Sequence, residues 1–316
     1  MNILTFDVEE WFHLLDFDAT RTEAEWGKYE VRIYENVDRI LDILETTNTK
    51  GTFFVIGWIA KTYPDVVRKI AAKYQIGSHT MNHQLVWQQK REDFRNDVES
   101  SVKLLQDITG QPIECFRAPG FSIRESEGWA FDTLADLGIK YDCSIFPAHH
   151  AHGGMPAYGA PIPALIKHGD TTIKEFPVST KTIMGKRIIF SGGGYFRLMP
   201  YYFLKSWSAE CASGYKNHMV SRIWHDKDGN VMMGEDGLPV TRDVGYLLSY
   251  IHPRDLDGGQ PMLEGLPLTR KFKSYVGTKG AAEKLLHYLK DFKFTDISTA
   301  AESICWEKMP VVRLEL

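Results

Sequence analysis

The segment 77–83 constrains this chain most, because it carries two histidines four residues apart where a predicted strand ends. His79 and His83 follow the short apolar run Tyr74–Ile76. Imidazoles at this one-turn spacing can bind the same metal ion, provided that the backbone coils after the first of them. The alternative is a pair of core histidines, since the same spacing occurs by chance on many helix faces.

A cluster of acidic residues at the beginning of the chain strengthens the metal hypothesis. The stretch Thr5–Glu10 reads Thr-Phe-Asp-Val-Glu-Glu and follows directly from the apolar run Ile3–Phe6. Carboxylates beside a buried strand are costly unless they are paired or bind a metal. Two histidines and one carboxylate are a common catalytic zinc set with a position open for water. We therefore expect a divalent ion, with Zn²⁺ as the first choice and Co²⁺, Ni²⁺ or Fe²⁺ as alternatives.

Strand-like and helix-like patterns alternate along most of the chain. The clearest helical pattern has Val37, Ile40, Leu41 and Leu44 at the spacing of one helix face. Strands are predicted at 3–6, 52–56, 74–78, 113–116, 139–141, 172–177, 187–189, 244–251 and 292–297. Helices are predicted at 34–46, 64–73, 92–109, 126–138 and 201–212, and again from Thr278 onward. This order favours an α/β fold with a parallel sheet or barrel.

Two stretches lack a periodic pattern and are expected to be loops, at 11–27 and 146–165. No internal repeat or low-complexity linker divides the chain. A single α/β barrel accounts for a chain of 316 residues. We therefore expect one domain over 1–316, with insertions at about 145–170 and 213–243.

Charge and composition exclude several classes of partner. The formal net charge is −4 and no block of Lys or Arg occurs, so nucleic acid is not an expected partner. No apolar run is long enough for a transmembrane helix. The first residues enter a strand without an export signal, and the four cysteines lack the spacing of a disulfide or zinc framework. We therefore expect a cytoplasmic protein.

Polar residues stand at the carboxyl ends of five predicted strands, where parallel α/β barrels assemble their chemistry. Each has a plain structural alternative: a capping carboxylate, a core histidine or a surface arginine. Their joint occurrence at five strand ends is what indicates a site. The residues are Asp7, Glu9, His79, Arg117, Asp142 and His252.

These residues, taken in chain order, resemble the polysaccharide deacetylases with a NodB homology domain, which form carbohydrate esterase family four. The family's motifs are Thr-Phe-Asp-Asp-Gly, His-Ser/Thr-x-x-His, Arg-x-Pro-x-Gly, an Asp near an aromatic residue, and an apolar residue before His. Their counterparts here are 5–9, 79–83, 117–121 (in part), 141–144 and 251–252. The resemblance covers roughly 1–145 and 244–300, and it implies a distorted (β/α) barrel of about seven strands.

Two positions depart from the family pattern. Val8 stands where the family has its metal-binding Asp. Because alternate residues of a strand point to the same side, Glu9 is expected to bind the metal beside Asp7, with Glu10 as the competing ligand. Gly120 replaces the usual aromatic residue of the third motif, and its backbone N–H is still able to stabilise an oxyanion.

The resemblance implies metal-assisted hydrolysis of an N-acyl group, expected to be N-acetyl. Glu9, His79 and His83 would bind the metal, Asp7 would act as general base, and His252 as general acid. Arg117 would keep Asp7 ionised and oriented, and Asp142 would tune His252. Substrate contacts are expected from Gly120, Phe121, Trp11 and Trp58, although core packing is an equal alternative for the tryptophans.

The expected substrate is an N-acylated sugar in a surface polysaccharide or, given the cytoplasmic expectation, in a glycan precursor. The segments 145–170 and 213–243 lie outside the motifs, and we expect them to recognise it. The alternatives are a deformylase or cyclic-amide hydrolase on the same fold, or a degenerate member that binds glycans without turnover. The retained Asp7, Arg117 and His252 favour an enzyme, because binding alone needs neither a base nor an acid.

Overall fold

A nine-stranded sheet forms the centre of the computed structural model, which describes residues 1–15, 17–149, 151–214 and 218–315. Two small antiparallel pairs, β8 with β9 and β10 with β11, lie outside this sheet. The strands are β1 (Asn2–Val8), β2 (Thr52–Val55), β3 (Gln75–Ser78), β4 (Cys115–Phe116), β5 (Tyr141–Asp142), β6 (Ala164–His168), β7 (Thr171–Glu175), β8 (Thr180–Ile183), β9 (Lys186–Ile189), β10 (Met219–Ile223), β11 (Thr241–Gly245), β12 (Leu247–Ile251) and β13 (Val311–Leu314).

Helices connect most of these strands. They are α1 (Glu23–Trp26), α2 (Ile33–Thr47), α3 (Gly57–Thr62), α4 (Pro64–Ala71), α5 (Arg91–Thr109), α6 (Trp129–Asp136), α7 (Gly193–Leu198), α8 (Tyr201–Ala212), α9 (Leu268–Tyr275), α10 (Ala281–Asp291) and α11 (Ile297–Glu302). No helix of the described ranges combines the length and the apolar character needed to cross a bilayer.

Seven consecutive strands of the central sheet are parallel, in the order β12-β1-β2-β3-β4-β5-β7. β6 then pairs antiparallel with β7, and β13 pairs with β6 at the end of the sheet order. The predicted α/β class is confirmed, and the parallel part has the expected number of strands. Because these strands run the same way, the residues that follow them meet at one edge of the sheet.

β1 is buried on both of its faces. Ile3, Leu4, Phe6 and Val8 have no exposed surface. A strand buried on both faces is typical of parallel sheets under helices. The chain therefore enters the sheet interior immediately, and the first polar side chains of β1 are held inside the protein.

Three predicted helices agree with the structure almost to the residue, namely α2, α5 and α8. Asn48 caps the C-terminus of α2 and Gly110 that of α5, both with left-handed backbone conformations (φ 48° and 67°). Left-handed residues commonly terminate helices because their N–H groups bond the last carbonyls. For these helices, the spacing of apolar residues and the residues at the helix ends were sufficient to predict the bounds.

Two predicted strands differ from the structure. The run 244–251 divides at Tyr246 into β11 and β12, which belong to different sheets. In the segment 292–297, Thr295 makes a single bridge to Ile3, and α11 begins two residues later. The Asp296 carboxylate accepts the N–H of Thr299 at 2.8 Å and so caps that helix.

The predicted loops are only partly irregular. The stretch 11–27 contains α1 and a 3₁₀ turn, and β6 begins at Ala164 inside the predicted loop 146–165. α3 was not predicted at all. Its first two N–H groups, from Gly57 and Trp58, donate to the carbonyls of Thr80 and Met81. A contact between segments this far apart in the chain leaves no local signal.

We predict that Gly77→Ala destabilises the fold. A Cβ at this position of β3 would lie 2.7 Å from Phe54 Cδ1 and 2.9 Å from the Cys115 carbonyl oxygen. Overpacking of this kind typically costs about 1–3 kcal/mol. Urea unfolding should show that loss for Gly77→Ala and none for Gly27→Ala, whose Cβ meets nothing within 4 Å. Equal stability of the two variants would contradict the close approach.

Candidate active site

Side chains that follow β1, β3, β4 and β12 come together at the carboxyl edge of the sheet. Glu9 Oε1 lies 3.2 Å from His79 Nε2 and 3.1 Å from His83 Nε2. His252 Nε2 lies 3.8 Å from Glu9 Oε1 and 3.8 Å from Asp7 Oδ2. The strand-end hypothesis therefore correctly grouped residues that are up to 245 positions apart (252 − 7).

The Glu9, His79 and His83 cluster fits a divalent metal ion. His79 Nδ1 lies 2.7 Å from the Arg117 carbonyl oxygen, which can only accept, so this nitrogen carries the proton and Nε2 presents a lone pair. Glu9 Oε1 presents another lone pair at 3.2 Å. Such facing acceptors need a cation or a proton between them. Tetrahedral zinc with bonds of about 2.1 Å separates its ligand atoms by about 3.4 Å, close to the distances found here.

The charge state of Glu9 agrees with a metal-binding role. Burial alone would raise the pKa of the Glu9 carboxyl group. His83, His252 and His79 outweigh that effect and hold the pKa well below its usual range. Glu9 is thus available as a carboxylate although the residue is almost completely buried.

The turn that carries the two histidines differs from a helical turn. Thr80 and His83 have left-handed backbone conformations, with φ of 64° and 54°. The Thr80 hydroxyl accepts the His83 N–H at 3.0 Å. The sequence spacing was therefore a valid signal, but a tight non-helical turn brings the imidazoles together.

Asp97, which the sequence reasoning missed, holds this turn from the buried face of α5. Its carboxylate accepts the backbone N–H of Met81 at 2.8 Å and of Asn82 at 3.1 Å. Burial raises the pKa of Asp97 to about 6, although these bonds partly oppose the effect. A lone acidic residue among the apolar positions of an amphipathic helix was the available signal.

Arg117 is completely buried and joins several parts of the site. Its Nη1 donates to Asp7 Oδ1 at 2.7 Å and to Thr5 Oγ1 at 2.9 Å, and its Nε donates to the Cys143 carbonyl at 3.1 Å. The guanidinium also lies over the Phe54 ring at 4.5 Å. Asp7 is therefore a buried carboxylate with a buried cation as its partner.

His252 is oriented by a carboxylate three residues later in the chain. Asp255 Oδ2 accepts from His252 Nδ1 at 2.8 Å, and Asp255 Oδ1 accepts from Arg197 Nε at 2.7 Å. Burial lowers the pKa of His252, but the negative charges of Asp255, Glu9 and Asp7 outweigh it and raise the pKa to about 9. The Nε2 side of the ring faces Asp7 and Glu9. These negative charges favour the protonated form of the imidazole.

Comparison with known proteins finds matches for most of the chain. Residues 14–141 match the family model described as polysaccharide deacetylase. This segment belongs to the polysaccharide deacetylase family. Residues 143–224 and 239–302 match a second model, described as a domain of unknown function (DUF3473).

Two curated relatives of the deacetylase segment are named as deacetylases of N-acetylated glycans. A peptidoglycan-N-acetylglucosamine deacetylase of Bacillus cereus is 28% identical over 121 residues, which are 34% of this chain and 44% of the relative. A chitooligosaccharide deacetylase of Azorhizobium caulinodans is 33% identical over 82 residues, which are 25% of this chain and 39% of the relative. The chain thus spans less than half the length of these relatives.

One solved structure resembles nearly the whole chain. It is a protein from Mycobacterium smegmatis described as a polysaccharide deacetylase, with a TM-score of 0.57 at 21% identity. The similarity covers 98% of this chain and 91% of the other. The predicted fold, the distorted barrel of the deacetylase family, is therefore confirmed beyond the segment that the family model matches.

The site draws on both matched regions. The deacetylase segment contributes His79, His83 and Arg117, and the second region contributes His252 and Asp255. β12, from the second region, pairs with β1 in the central sheet. The second region therefore completes the edge where the deacetylase motifs lie.

The competition between the two glutamates has a clear structural outcome. Glu10 points away from the histidines, and its Oε1 accepts the N–H groups of Arg32 and Ile33 at 2.8 and 2.9 Å, at the start of α2. Burial raises the pKa of Glu10 to about 7, although these N–H groups partly oppose it. Glu9 is the glutamate beside the histidines, as strand alternation indicated.

The structure does not place Asp142 beside His252. The Asp142 carboxylate accepts the Ser144 hydroxyl at 2.6 Å and the Ser144 N–H at 3.1 Å, and it lies beside Glu175 on the paired strand. The Ser144 hydroxyl oxygen in turn accepts the Ala118 N–H at 2.8 Å. Asp142 therefore supports the loop that carries Arg117, and the carboxylate beside His252 comes from Asp255.

The predicted substrate-contacting residues are mostly buried. Trp11 is 3% exposed and packs with Phe12, and Phe121 is 5% exposed and packs against Arg117 and Tyr250. Both therefore belong to the core that supports the site, because they have little surface left for a sugar. Trp58 is only partly buried and keeps some exposed surface.

Gly120 occupies a position that a larger residue cannot take. Its backbone is left-handed, with φ of 61°. A Cβ there would lie 2.9 Å from both Leu15 Cδ1 and His152 Cβ. The residue follows β4 close to Arg117, so the departure from the family's aromatic residue has a steric reason.

We predict that removing the Asp97 carboxylate loosens the histidine turn. Asp97→Ala leaves the N–H groups of Met81 and Asn82 without their acceptor, and each such loss typically costs about 1–3 kcal/mol. Asp97→Asn keeps one acceptor oxygen and should cost less. Thermal unfolding with Asp93→Ala, an exposed residue one turn earlier in α5, provides the control. Equal behaviour of Asp97→Ala and the control would contradict the role.

Proposed function

We propose that this protein is a metal-dependent hydrolase that removes an N-acyl group, N-acetyl in the first instance, from a sugar of a surface polysaccharide or its precursor. The observation that carries the proposal is Asp7, which pairs with Arg117 beside the Glu9, His79 and His83 cluster and opposite His252. A base, a metal-binding cluster and an acid on one edge are the groups that amide hydrolysis requires.

Glu9, His79 and His83 would hold the ion, with zinc as the first choice and cobalt, nickel or iron as alternatives. A divalent ion there supplies a Lewis acid for the acyl oxygen and makes water more acidic. The protein's own contribution is orientation. The Arg117 carbonyl fixes the tautomer of His79, and Asp97 fixes the turn that places His83.

Asp7 is suited to act as the general base. The Arg117 guanidinium occupies Oδ1 at 2.7 Å and leaves Oδ2 facing His252 at 3.8 Å. A carboxylate with one oxygen fixed and the other free can accept a proton from water in a defined direction. Asp7 is not a ligand in this proposal, because the histidines surround Glu9 instead.

His252 is suited to act as the general acid for the departing amine. The negative charges of Asp255, Glu9 and Asp7 raise its pKa and favour the protonated ring, and Asp255 fixes the ring through Nδ1 so that Nε2 faces the reaction site. Asp255 is a positioning residue, since it acts through His252. General acid catalysis of this kind contributes roughly 10²–10⁴ in rate.

An acetylated sugar is the favoured substrate because the relatives are deacetylases of peptidoglycan N-acetylglucosamine and of chitooligosaccharide. The Gly120 N–H remains the proposed oxyanion donor, and Trp58 the proposed stacking residue. A formyl group or a cyclic amide would need the same catalytic groups, so product analysis for acetate or formate separates these reactions.

Two broader expectations stay predictions. We propose that 1–316 is a single domain, which is supported by the strands that both matched regions contribute to one sheet. The proposed insertion 145–170 includes the whole of β6, and residues 215–217 of the second insertion lie outside the described ranges. The cytoplasmic location and a precursor substrate are tested by fractionating cells and by comparing polymers with short precursors.

We predict that His79→Ala and His83→Ala remove most of the bound metal while the fold survives. The reason is that each variant removes one of the three converging donors. Metal content by mass spectrometry and circular dichroism are the measurements, with the exposed His287→Ala as control. Full metal content in either of the two site variants would sink the assignment.

Asp7→Asn and Glu9→Ala should fail in different ways. Asp7→Asn should keep the metal and lose at least about 10²-fold in kcat, because a base has been removed. Glu9→Ala should first lose metal affinity. Calorimetric metal titration and acetate release distinguish the two. Reversed behaviour would mean that the roles of the two carboxylates are exchanged.

We expect Asp255→Asn to move the basic limb of the pH profile. The limb reports loss of the His252 proton, and the negative charge of Asp255 raises the pKa of His252 towards its value of about 9. Without that charge the limb of kcat/KM should move to lower pH by roughly one unit or more. A bound cation lowers the pKa of His252 in the wild type and in the variant alike, so the measured quantity is the shift of the limb relative to wild type. Exposed Asp170→Asn is the control. An unchanged limb would contradict the assignment of His252 as the acid.

A further inference from the structure

Arg254 is a buried cation beside the proposed catalytic acid. It lies two residues after His252 on the 3₁₀ turn Pro253–Leu256 and is 6% exposed. Among the described residues, its guanidinium makes one hydrogen bond, a long contact of 3.5 Å from Nη2 to the Ser274 carbonyl. A guanidinium has five N–H donors, so most of its bonding capacity is unused.

The other two buried arginines of the site each pair with a carboxylate, Arg117 with Asp7 and Arg197 with Asp255. Arg117 bonds Asp7, Thr5 and the Cys143 carbonyl. Arg197 bonds Asp255 and the carbonyls of Lys273 and Val276. Their roles within the protein are explained by these bonds. The same explanation does not extend to Arg254.

The carboxylates near Arg254 already have other partners. Asp255 is held by His252 and Arg197, and Glu9 faces His79 and His83. Burial lowers the pKa of Arg254, while Asp255 and Glu9 act in the opposite direction, so both lie within electrostatic reach of it. In the described part of the chain, however, no carboxylate forms an ion pair with Arg254 within 4 Å.

We propose that Arg254 binds an anionic group of the substrate, a carboxylate or a phosphate carried by the N-acylated sugar or its neighbour. This inference rests on the proposed function and narrows its substrate class. An almost fully buried guanidinium with one long hydrogen bond and no carboxylate partner is costly, and an incoming oxyanion would relieve that cost. The planar fork of arginine suits both anions because it can donate two parallel hydrogen bonds.

The location favours the substrate over a purely structural role. A single 3.5 Å contact adds little to the position of α9, which Arg197 already fixes through two carbonyls. Arg254 is also attached to the same short turn as His252. An anion bound there would place the adjacent sugar next to the acid that protonates its amine. Specificity and positioning would thus come from one residue.

The kinetic test compares neutral and anionic substrates. The neutral substrate is an N-acetylated chitooligosaccharide, and the anionic ones are a nucleoside-diphosphate N-acetylglucosamine and an N-acetylated disaccharide with a uronic acid. Arg254→Gln should lower kcat/KM for at least one anionic substrate by roughly 10- to 100-fold and leave the neutral one within about twofold. Exposed Arg313→Gln is the control and should change none of them.

Equal losses on neutral and anionic substrates, or no loss at all, would overturn the inference. A role confined to the acidity of His252 would instead shift the pH profile equally for every substrate. The two anionic substrates identify the source of the charge, because a preference for one indicates phosphate and for the other a carboxylate.

A binding measurement decides the inference without turnover. Inorganic phosphate and glucuronate are titrated calorimetrically into the metal-loaded wild type and into Arg254→Gln. Weaker binding of at least one anion to the variant, by roughly tenfold or more, is the expected result. Equal binding of both anions to both proteins would overturn the inference. If no N-acyl sugar is hydrolysed, the proposed reaction fails while this titration still decides the role of Arg254.

Discussion

The convergence of three potential metal-ligand atoms around one point is the constraint on which the rest of this site depends. Glu9 Oε1, His79 Nε2 and His83 Nε2 lie close together in a buried place. Lone pairs that face one another this closely are stable only with positive charge between them. Long-range contacts hold these atoms in place. The Arg117 carbonyl orients one imidazole, and Asp97 holds the turn that carries both.

The other carboxylates near this edge of the sheet differ in the groups that they contact. Asp7 faces a permanently charged guanidinium, which suits a base that must be ionised. Asp255 faces an imidazole and another guanidinium, which suits a group that holds an acid in its protonated form. Glu10 caps a helix and takes no part. Chemically similar side chains thus acquire different roles from position and burial.

Much of this site was predictable because strand ends are visible in a sequence. Short apolar runs mark buried parallel strands, and the polar residue after each run must then lie at their common edge. Strand alternation also selected Glu9 over Glu10. Family resemblance supplied the roles, which spacing alone could not.

The missing parts depend on contacts that the sequence does not encode locally. Asp97 reaches a turn about 15 residues earlier from the buried face of a helix. The family resemblance implied that Asp142 would tune His252, yet four strands separate β12 from β5 in the sheet order. Asp255 reaches His252 only because the chain forms a 3₁₀ turn there, and the His-x-x-Asp spacing was its one local trace. Arg254 becomes notable only in the structure, where no described carboxylate lies within 4 Å of it and its one hydrogen bond is long.

Anomalous X-ray diffraction from crystals of the zinc-loaded protein tests the central claim most directly. The account predicts a peak at the zinc edge between Glu9 Oε1, His79 Nε2 and His83 Nε2, with bonds of about 2.0–2.2 Å. Asp7 should remain paired with Arg117 and outside the bonding distance. A peak elsewhere, or one that lacks any of these three ligands, would contradict the account.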